Sequence, residues 1–414
     1  MVSRPQLLFL SQCLPFPPHS GVTNRTYNVL RQLAEVFDVT LLAFSRHNHQ
    51  PGLQARRTAE AKLGLLGIRV ASSVPIGSER SRFHQLAVHA RSLLTGKPYT
   101  TFEYGDSRFA EMLAQAILSN PPALIHMDSL DLHRWLSYFN SVPVACTHHS
   151  VESDLLKQRG ERFRSRVLGA YVMHQARLIE EVERVATPHL ALNVMMSDND
   201  AERLKVLAPG ARTYVAPNGV DTAYFAPSSG VSAVAGRVVF LGPTYMFPNQ
   251  DGIEHFLQHS WEQVLAQVPY ASLRLIGKNP PAHRERYQRY RNVSCLGYVT
   301  DIRPHMSEAA CSIVPLRVGG GTRLKVLDAW AMGKAVVSTA VGCEGLSTVD
   351  GENILVRDDP KDFAEAVLEV LTNADLRQRL ESNARTTAVQ QYGWDRIGAG
   401  LRAVYGQLAA GTSV

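Results

Sequence analysis

Short apolar runs alternate with longer amphipathic segments along the whole chain. In the first half, the runs that predict strands lie at 7–10, 39–44, 68–74, 124–125, 142–147 and 190–195. In the second half they lie at 238–242, 272–277, 293–296, 311–316, 335–339 and 353–356. Between the first two runs, Leu30, Leu33, Ala34 and Phe37 recur at the spacing of one helix face. Strands that alternate with helices in this way predict parallel sheets covered by helices on both faces.

A turn-rich stretch separates the two halves. The string Pro217-Asn218-Gly219-Val220-Asp221 follows the end of a strand, and residues 227–236 are rich in Ser, Gly and Ala. The sequence therefore predicts one domain over 1–216 and a second over 217–392, with the terminal helices of 360–408 covering the second.

The composition is compatible with a two-domain enzyme but does not identify its class. With 414 residues, 45% of them hydrophobic, the chain is long enough for two cores. The net charge of +6 suits acidic ligands such as nucleotides or anionic lipids, but also nucleic acid. The five cysteines form no CxxC pair, so neither a disulfide framework nor a zinc site is predicted, and a reducing cytosol is the simpler location. Residues 7–10 are too short for a signal peptide core, and no run of about 20 apolar residues is present, so any membrane contact is predicted to be peripheral.

The richest motif is GGGTRLKVLDAWAMGKAVVST, residues 319–339. It follows an apolar run and predicts a strand, a loop of Gly319, Gly320 and Gly321, and a helix that starts near Thr322. Glycines let the backbone approach a ligand closely, and the first amides of a helix have no acceptors within it. The loop is therefore a candidate phosphate site.

Charged side chains extend this candidate site into the helix. Arg323 and Lys325 are expected in the first turn, where the helix dipole disfavours cations unless an anion offsets them. Asp328 interrupts the apolar face and is placed to accept the hydroxyls of a ribose. The alternative is a glycine hinge followed by a helix whose charges are simply solvated.

This motif resembles that of the retaining glycosyltransferases of family 4, especially bacterial sugar transferases of exopolysaccharide and PEP-CTERM systems. The resemblance implies the GT-B architecture, an α/β fold of two Rossmann-like domains with parallel sheets facing across a cleft. It implies that 1–216 is the acceptor side, that 217–392 binds the nucleotide sugar, and that a last helix, 393–414, packs back on the first domain.

Residue roles carry over from this family by position. Asp328 matches the acid that binds ribose, whereas Gly320 stands where relatives keep an acid that contacts the donor sugar. Arg323 and Lys325 match the diphosphate ligands, and the backbone of Gly297-Tyr298-Val299 matches the loop that pairs with the base. Other matches place Gly21 beside the donor and His149, within His149-Ser150-Val151-Glu152-Ser153, as the catalytic histidine, with His148 as the fallback.

A metal at the two histidines and Glu152 is an alternative, but adjacent side chains after a strand rarely converge on one ion, and the architecture needs none. No metal or cofactor is therefore predicted.

Three basic segments have competing interpretations. One surrounds Phe83 to Leu94, one follows the histidines from Lys157 to Arg166, and one interleaves arginines with tyrosines over 283–291. They suit an anionic membrane or a lipid diphosphate acceptor, and the last resembles a nucleic-acid binder, although solvated helix faces also explain them. No nucleic-acid module accompanies them, so nucleic acid is not predicted as a partner.

The sequence thus predicts a metal-independent retaining transferase that moves a hexose from a nucleotide diphosphate sugar to a glycan or lipid-linked acceptor. It would work in the cytoplasm, with peripheral contact at the inner face of the cytoplasmic membrane as a further expectation. The alternatives are a nucleotide-sugar epimerase of the same architecture and a noncatalytic nucleotide-sugar-binding protein.

Overall fold

The structure is a computed structural model that describes residues 4–18, 20–79, 81–139, 141–163, 165–228, 230–319 and 323–412. The chain divides into two compact units. The first consists of Met1–Pro217 with Ile397–Val414, and the second of Asn218–Arg396. The acceptor and donor roles expected for domains 1–216 and 217–392 stay predictions.

The first unit is built on a seven-stranded sheet whose strand pairs, in the described chain, are all parallel. The strand order is β3-β2-β1-β4-β5-β6-β7. The strands are β1 Gln6–Ser11, β2 Asp38–Ser45, β3 Arg69–Pro75, β4 Leu124–Met127, β5 Val144–Thr147, β6 Leu192–Met195 and β7 Thr213–Val215. The six apolar runs predicted as strands in the first half are thereby confirmed, and the run at 124–125 is extended by two residues.

Within the residues that the structure describes, eight α-helices connect these strands. They are α1 Gly21–Leu33, α2 Gly52–Gly64, α3 Arg82–Thr95, α4 Thr100–Glu103, α5 Ser107–Ser119, α6 Glu152–Arg162, α7 Arg166–Ala186 and α8 Asp198–Leu207. Short 3₁₀ segments lie at Gly77–Glu79, Leu130–Tyr138 and Thr187–His189. The predicted apolar face of α1 is confirmed, since Leu30 and Leu33 are fully buried.

The second unit contains a six-stranded sheet of order β10-β9-β8-β11-β12-β13, also with parallel pairs throughout the part that is described. Its strands are β8 Arg237–Leu241, β9 Ser272–Ile276, β10 Val293–Gly297, β11 Cys311–Val314, β12 Val336–Ser338 and β13 Leu355–Val356. Its helices are α9 Phe247–His259, α10 Trp261–Gln267, α11 Pro281–Tyr287, α12 Arg303–Ser307, α13 Leu324–Ala331, α14 Pro360–Thr372 and α15 Ala374–Thr387. A 3₁₀ turn at Val341–Cys343 and a π-helical turn at Ala388–Tyr392 complete it.

Both faces of the second sheet are buried. Val238 and Phe240 of β8 belong to one apolar cluster, whereas Val239 and Leu241 belong to another. Successive side chains of a strand point to opposite faces, so two clusters mean helices on both sides of the sheet. This arrangement explains why the strands are continuous apolar runs, and it confirms the predicted α/β class with parallel sheets.

The last helix, α16 Trp394–Ala409, begins in the second unit and contributes Ile397 onward to the first. Leu401 and Tyr405 are fully buried, and the Tyr405 hydroxyl lies 2.7 Å from Nδ1 of His126 on β4. This helix is therefore part of the core of the first unit.

The five cysteines are all free and buried. Within the described residues, no helix is both long enough and apolar enough to cross a membrane.

Candidate functional site

Each parallel sheet has one position where the chain reverses its direction of travel along the sheet. In the second unit this switch point lies between β8 and β11, since the chain leaves β8 toward β9 and leaves β11 toward β12. In the first unit it lies between β1 and β4. The loops after the strands that flank such a point form a crevice, which is where open α/β sheets bind ligands. The predicted site residues can be located against these two crevices.

Lys325 lies at the switch point of the second unit. Its ammonium Nζ donates to Oδ1 of Asn249 at 2.7 Å and lies 4.6 Å from the ring centre of Phe240 on β8. Asn249 in turn donates from Nδ2 to the carbonyl of Pro243 at 3.0 Å. Burial and the positive charge of Arg323 together lower the pKa of Lys325 to about 7. An anion bound at this position would therefore stabilise the protonated form of Lys325.

Asparagine is a favoured N-cap residue, but Asn249 does not cap its helix. Helix α9 begins at Phe247, with Met246 as the cap residue and Pro248 in the first turn. Asn249 lies one residue further on, so its side chain turns back to the Pro243 carbonyl and to Lys325 instead of capping amides. It thereby fixes the lysine beside the loop that follows β8.

Arg323 precedes the helix instead of sitting in its first turn, which corrects the predicted start near Thr322. The helix α13 begins at Leu324 with Arg323 as cap residue. The guanidinium is buried and donates to the carbonyls of Val341 at 2.9 Å and Gly319 at 3.1 Å. A longer contact of 3.6 Å joins it to the carboxylate of Glu344. Arg323 therefore ties the glycine loop to the turn after β12.

The glycine loop is described only at its first residue. Gly319 has a φ of +125°, a backbone conformation that side chains with a Cβ rarely adopt. The other predicted loop residues, Gly320, Gly321 and Thr322, lie outside the described residues.

Asp328 lies one turn beyond Lys325 on α13. The predicted burial of its apolar neighbours is confirmed, since Val326, Leu327 and Trp330 are fully buried. Asp328 itself is half-buried, and desolvation raises the pKa of its carboxyl to about 7. A carboxyl held near neutrality by desolvation gains most from a ligand that donates hydrogen bonds to its charged form.

The predicted base-binding loop, 297–299, follows β10, which is the outermost strand on one side of the same sheet. Gly297 ends β10 with a φ of +74°, and its carbonyl accepts from the amide of Gly277 at 2.9 Å. Tyr298 is exposed and Val299 is half-buried. Lys278, which sequence reasoning missed, lies 5.9 Å from the Tyr298 ring centre. Lys278 follows an apolar strand and a glycine directly, and this position is the sequence signal by which it could have been identified.

In the first unit, Gly21 is the first residue of α1. The preceding Ser20 caps the helix by accepting from the amide of Thr23, and the Thr23 hydroxyl accepts from the Ser20 amide. A Cβ added at Gly21 would meet no atom of the described residues within 4 Å. No described neighbouring group therefore requires glycine here.

The two adjacent histidines have different environments. His148 is buried, its Nε2 lies 2.9 Å from Oδ1 of Asn193, and burial lowers its pKa to about 4. His149 is half-buried and its Nε2 lies 2.9 Å from the carbonyl oxygen of Asp128. Because a carbonyl only accepts, His149 carries its proton on Nε2 and presents Nδ1 as an acceptor. Desolvation also lowers the pKa of His149, which favours the neutral ring.

Asp128 is the main residue that sequence reasoning missed. It follows β4 at the switch point, is fully buried, and accepts from the hydroxyl of Thr26 at 2.6 Å and of Ser11 at 3.2 Å. Nε2 of His126 lies 3.8 Å from its other carboxylate oxygen. Asp128 therefore joins α1, β1 and the loop of His149. The predicted strand ended at 125, so the polar residue at its true end was overlooked.

Within the described residues, no group of three or more His, Cys, Asp or Glu side chains has an arrangement that could hold a metal ion. Glu152, the third member of the rejected metal interpretation, accepts a hydrogen bond from the Ser150 hydroxyl at 3.1 Å.

The arginine and tyrosine pattern over 283–291 begins on α11 and continues beyond its end at Tyr287, and three of its arginines are paired with glutamates. Arg286, Arg289 and Arg291 contact Glu254, Glu285 and Glu262 at 2.6, 2.6 and 3.4 Å. Tyr287 is fully buried in the core. Three of the four arginines of this segment are therefore paired, and its tyrosines do not form a row of exposed rings.

Comparisons with known proteins agree with this geometry. A family model of group 1 glycosyl transferases matches residues 235–373, which include β8, β11, α13 and the switch point of the second unit. An uncharacterised glycosyltransferase of Methanocaldococcus jannaschii is 29% identical over 111 residues, covering 26% of this chain and 31% of that protein. An uncharacterised 44.6 kDa protein from the cps region of Klebsiella pneumoniae is 24% identical over 164 residues, covering 38% of this chain and 42% of that protein. The matched segments therefore span less than half the length of these relatives.

Solved structures match over nearly the whole chain. HepE of Anabaena in complex with UDP has a TM-score of 0.67 at 15% identity, covering 97% of this chain and 100% of that one. Sucrose-phosphate synthase of Thermosynechococcus elongatus has a TM-score of 0.67 at 19% identity, covering 98% and 100%. WaaG, a glycosyltransferase involved in lipopolysaccharide biosynthesis, has a TM-score of 0.64 at 15% identity, covering 97% and 100%. These likenesses confirm the predicted GT-B fold.

Proposed function

We propose that this protein is a retaining glycosyltransferase that moves a hexose from a nucleotide diphosphate sugar to a glycan or lipid-linked acceptor. The observation that carries the proposal is Lys325 beside Asn249 at the switch point of the second unit, within the segment that the group 1 family model matches. The resemblance to family 4 supports retention, and the cps-region relative favours a role in exopolysaccharide or other surface glycan synthesis.

Arg323 and Lys325 are assigned to the donor diphosphate. When the bond between the anomeric carbon and the diphosphate oxygen breaks, its electron pair leaves with the oxygen, and negative charge grows on the diphosphate. A buried guanidinium and an ammonium beside it stabilise that charge without reorganisation, since both are already fixed by hydrogen bonds to the chain. We propose that these two cations perform the neutralisation for which other enzymes use a metal ion.

The remaining roles follow the resemblance to family 4. Asp328 is assigned to the ribose hydroxyls, the backbone of 297–299 to the base, and Gly319, Gly320, Gly321 and Thr322 to the phosphates. In the first unit, Gly21 lets the backbone approach the donor, and neutral His149 accepts a sugar hydroxyl through Nδ1. The complexes of HepE with UDP and with UDP-glucose favour a uridine nucleotide as the first donor to test.

The test is turnover with a panel of UDP, GDP and CMP sugars, each with a lipid and glycan extract as acceptor and with EDTA present. The expected result is a glycosylated product whose new bond keeps the donor's anomeric configuration by NMR. A donor sugar that is isomerised without transfer would favour the epimerase alternative. Tight nucleotide binding without any turnover across the panel would favour the noncatalytic alternative.

The transferase would act in the cytoplasm, where nucleotide sugars are the donors, at the inner face of the cytoplasmic membrane when its acceptor is lipid-linked. An inverted configuration in the product would overturn retention while leaving the transferase assignment intact. Loss of turnover on adding EDTA, restored by a divalent cation, would overturn metal independence.

A further inference from the structure

Helix α3 carries its apolar stripe on the outside of the protein. Phe83, Leu86, Ala90, Leu93 and Leu94 recur at the spacing of a single helix face. A stripe of this kind normally packs against the core. Here Phe83, Leu86, Leu93 and Leu94 are 82%, 69%, 56% and 86% exposed, whereas Val88 and Ser92 on the opposite side are buried. The helix is thus anchored by the side that carries Val88 and Ser92, and it presents its large apolar side chains to the surroundings.

A second apolar group lies next to this helix. The hydroxyl of Tyr171 on α7 lies 2.6 Å from Nδ1 of His89, and Gln175 donates to the Ser92 hydroxyl at 2.8 Å. These contacts hold the first turns of α7 against the middle of α3. One turn before Tyr171, Val167 and Leu168 are 79% and 52% exposed. We define the exposed apolar side chains of α3 with Val167 and Leu168 as the α3–α7 face.

The two sequence segments that contain this face are basic. The segments 80–102 and 162–179 contain eight Arg or Lys residues and no Asp or Glu. The eight positive charges of these two segments exceed the net charge of +6 that the whole chain carries. Around the helix axis, Arg82 borders the apolar stripe of α3 on one side, and Arg91, which stacks on the ring of Phe102 at 4.8 Å, borders it on the other. This pattern of large apolar side chains with flanking cations is that of a helix lying in a bilayer interface.

We infer that the α3–α7 face docks the protein on a bilayer of anionic lipids, with the stripe of α3 inserted at the boundary between headgroups and acyl chains. The flanking cations favour a lipid surface over an apolar protein surface as the partner. The core of a protein–protein interface is usually depleted of charged residues. Anionic headgroups, by contrast, attract each flanking Arg or Lys. This docking deepens the membrane location given in the proposed function and rests on it, whereas the residues of the α3–α7 face are separate from those assigned to the donor.

The test is co-sedimentation of the full-length protein with vesicles of phosphatidylglycerol and phosphatidylcholine, compared with pure phosphatidylcholine. We expect binding to the anionic vesicles that weakens as salt screens the cations, and little binding to the neutral ones. The variant F83S/L86Q/L94Q should lose at least tenfold in partitioning, because three large apolar side chains no longer enter the bilayer. The variant R82Q/R166Q should lose about 30-fold on anionic vesicles, at about 1 kcal/mol for each cation.

The matched control is L118Q/V206Q, which changes two equally exposed apolar side chains elsewhere in the first unit, 82% and 83% exposed on α5 and α8. It should partition within twofold of the unaltered protein. Nucleotide binding by calorimetry should be the same in all variants, which shows that each is folded and separates this proposal from the donor site.

A spectroscopic probe locates the contact. The four native tryptophans, Trp135, Trp261, Trp330 and Trp394, are buried. Phe83→Trp therefore adds an exposed indole, whose emission should shift to the blue with anionic vesicles. Equal binding of F83S/L86Q/L94Q and L118Q/V206Q would overturn the proposal. Absence of vesicle binding, together with self-association that F83S/L86Q/L94Q abolishes, would overturn it in favour of a protein interface.

Discussion

Lys325 is the residue whose chemistry depends most on its surroundings. Its ammonium is held by Asn249 and by the ring of Phe240, yet burial and Arg323 lower its pKa to about 7. Such a group is costly to keep charged until an anion arrives. The proposed diphosphate would supply that anion.

Replacing Lys325 by methionine should weaken UDP binding about 10- to 100-fold, since a hydrogen bond to a charged group contributes about 1.5–3 kcal/mol. Isothermal titration calorimetry measures the loss. The control is Lys361→Met, which removes an exposed lysine on α14 that pairs with Glu365 at 3.8 Å. Equal affinities for the two variants would contradict the assignment of Lys325 to the diphosphate.

The pH dependence of UDP binding should report Lys325 and Asp328 with opposite signs. A bound diphosphate raises the pKa of Lys325 above its value of about 7, so affinity should fall as the pH rises beyond 7. Ribose hydroxyls favour the ionised carboxylate of Asp328, whose pKa is also about 7, so affinity should rise as the pH approaches 7 from below. The wild-type profile should therefore peak near neutrality.

The two single variants separate these effects. Lys325→Met should keep only the rise below pH 7, and Asp328→Asn only the fall above it. At pH 8, calorimetry in phosphate and in Tris should show proton uptake on binding for the wild type and for Asp328→Asn. Proton uptake that persists in Lys325→Met would assign the titration to another group.

At the scale of elements, helix α1 begins with Gly21, and no described residue lies close enough to exclude a larger side chain there. A Cβ at Gly21 meets no atom of the described residues within 4 Å, and alanine has a better helix propensity than glycine. Gly21→Ala should therefore leave the free energy of unfolding unchanged or raise it by up to about 1 kcal/mol. If the donor approaches this backbone, the same substitution should lower kcat/KM at least tenfold.

Urea denaturation measures the first effect and steady-state kinetics the second. Gly406→Ala is the matched control, since a Cβ there also meets no atom of the described residues within 4 Å and the position lies in a different helix, α16. Unchanged kcat/KM in Gly21→Ala would remove Gly21 from the donor site.

The buried polar network around Asp128 links three elements of the first unit. Thr26 on α1 donates to Asp128 at 2.6 Å, and the Asp128 carbonyl accepts from His149 after β5. Thr26→Val keeps the shape of the side chain but removes the donor, so it should cost about 1–3 kcal/mol of unfolding free energy. Urea denaturation followed by circular dichroism measures this loss, and Thr58→Val on exposed α2 should cost less than about 0.5 kcal/mol. Equal losses in both variants would contradict a structural role for the network.

The sequence predicts elements better than it predicts contacts between them. The apolar runs of β8 and β11 are continuous because both faces of the sheet are buried, so a local pattern carries enough information to find them. The same pattern cannot tell His148 from His149, because their environments depend on Asn193 of β6 and Asp128 of β4. Nor does it show that Asn249 holds Lys325, 76 residues later.

At the scale of the whole molecule, one helix divides its residues between the two units. Tyr392, just before α16, is buried in the second unit, and its hydroxyl accepts from the amide of Ser347 at 2.7 Å. Tyr405, within α16, is buried in the first unit against His126. Two buried tyrosines close in sequence thus stabilise different cores.

Tyr392→Ala and Tyr405→Ala should each cost about 3–5 kcal/mol, because each leaves a large cavity and an unpaired partner. The loss should nevertheless be confined to one unit in each variant. Hydrogen exchange measured by mass spectrometry should show faster exchange in peptides from 4–217 for Tyr405→Ala, and in peptides from 218–396 for Tyr392→Ala. The two variants serve as each other's controls. Faster exchange across both units in either variant would mean that the chain unfolds as a single cooperative body, because local opening in one core would then require opening of the other.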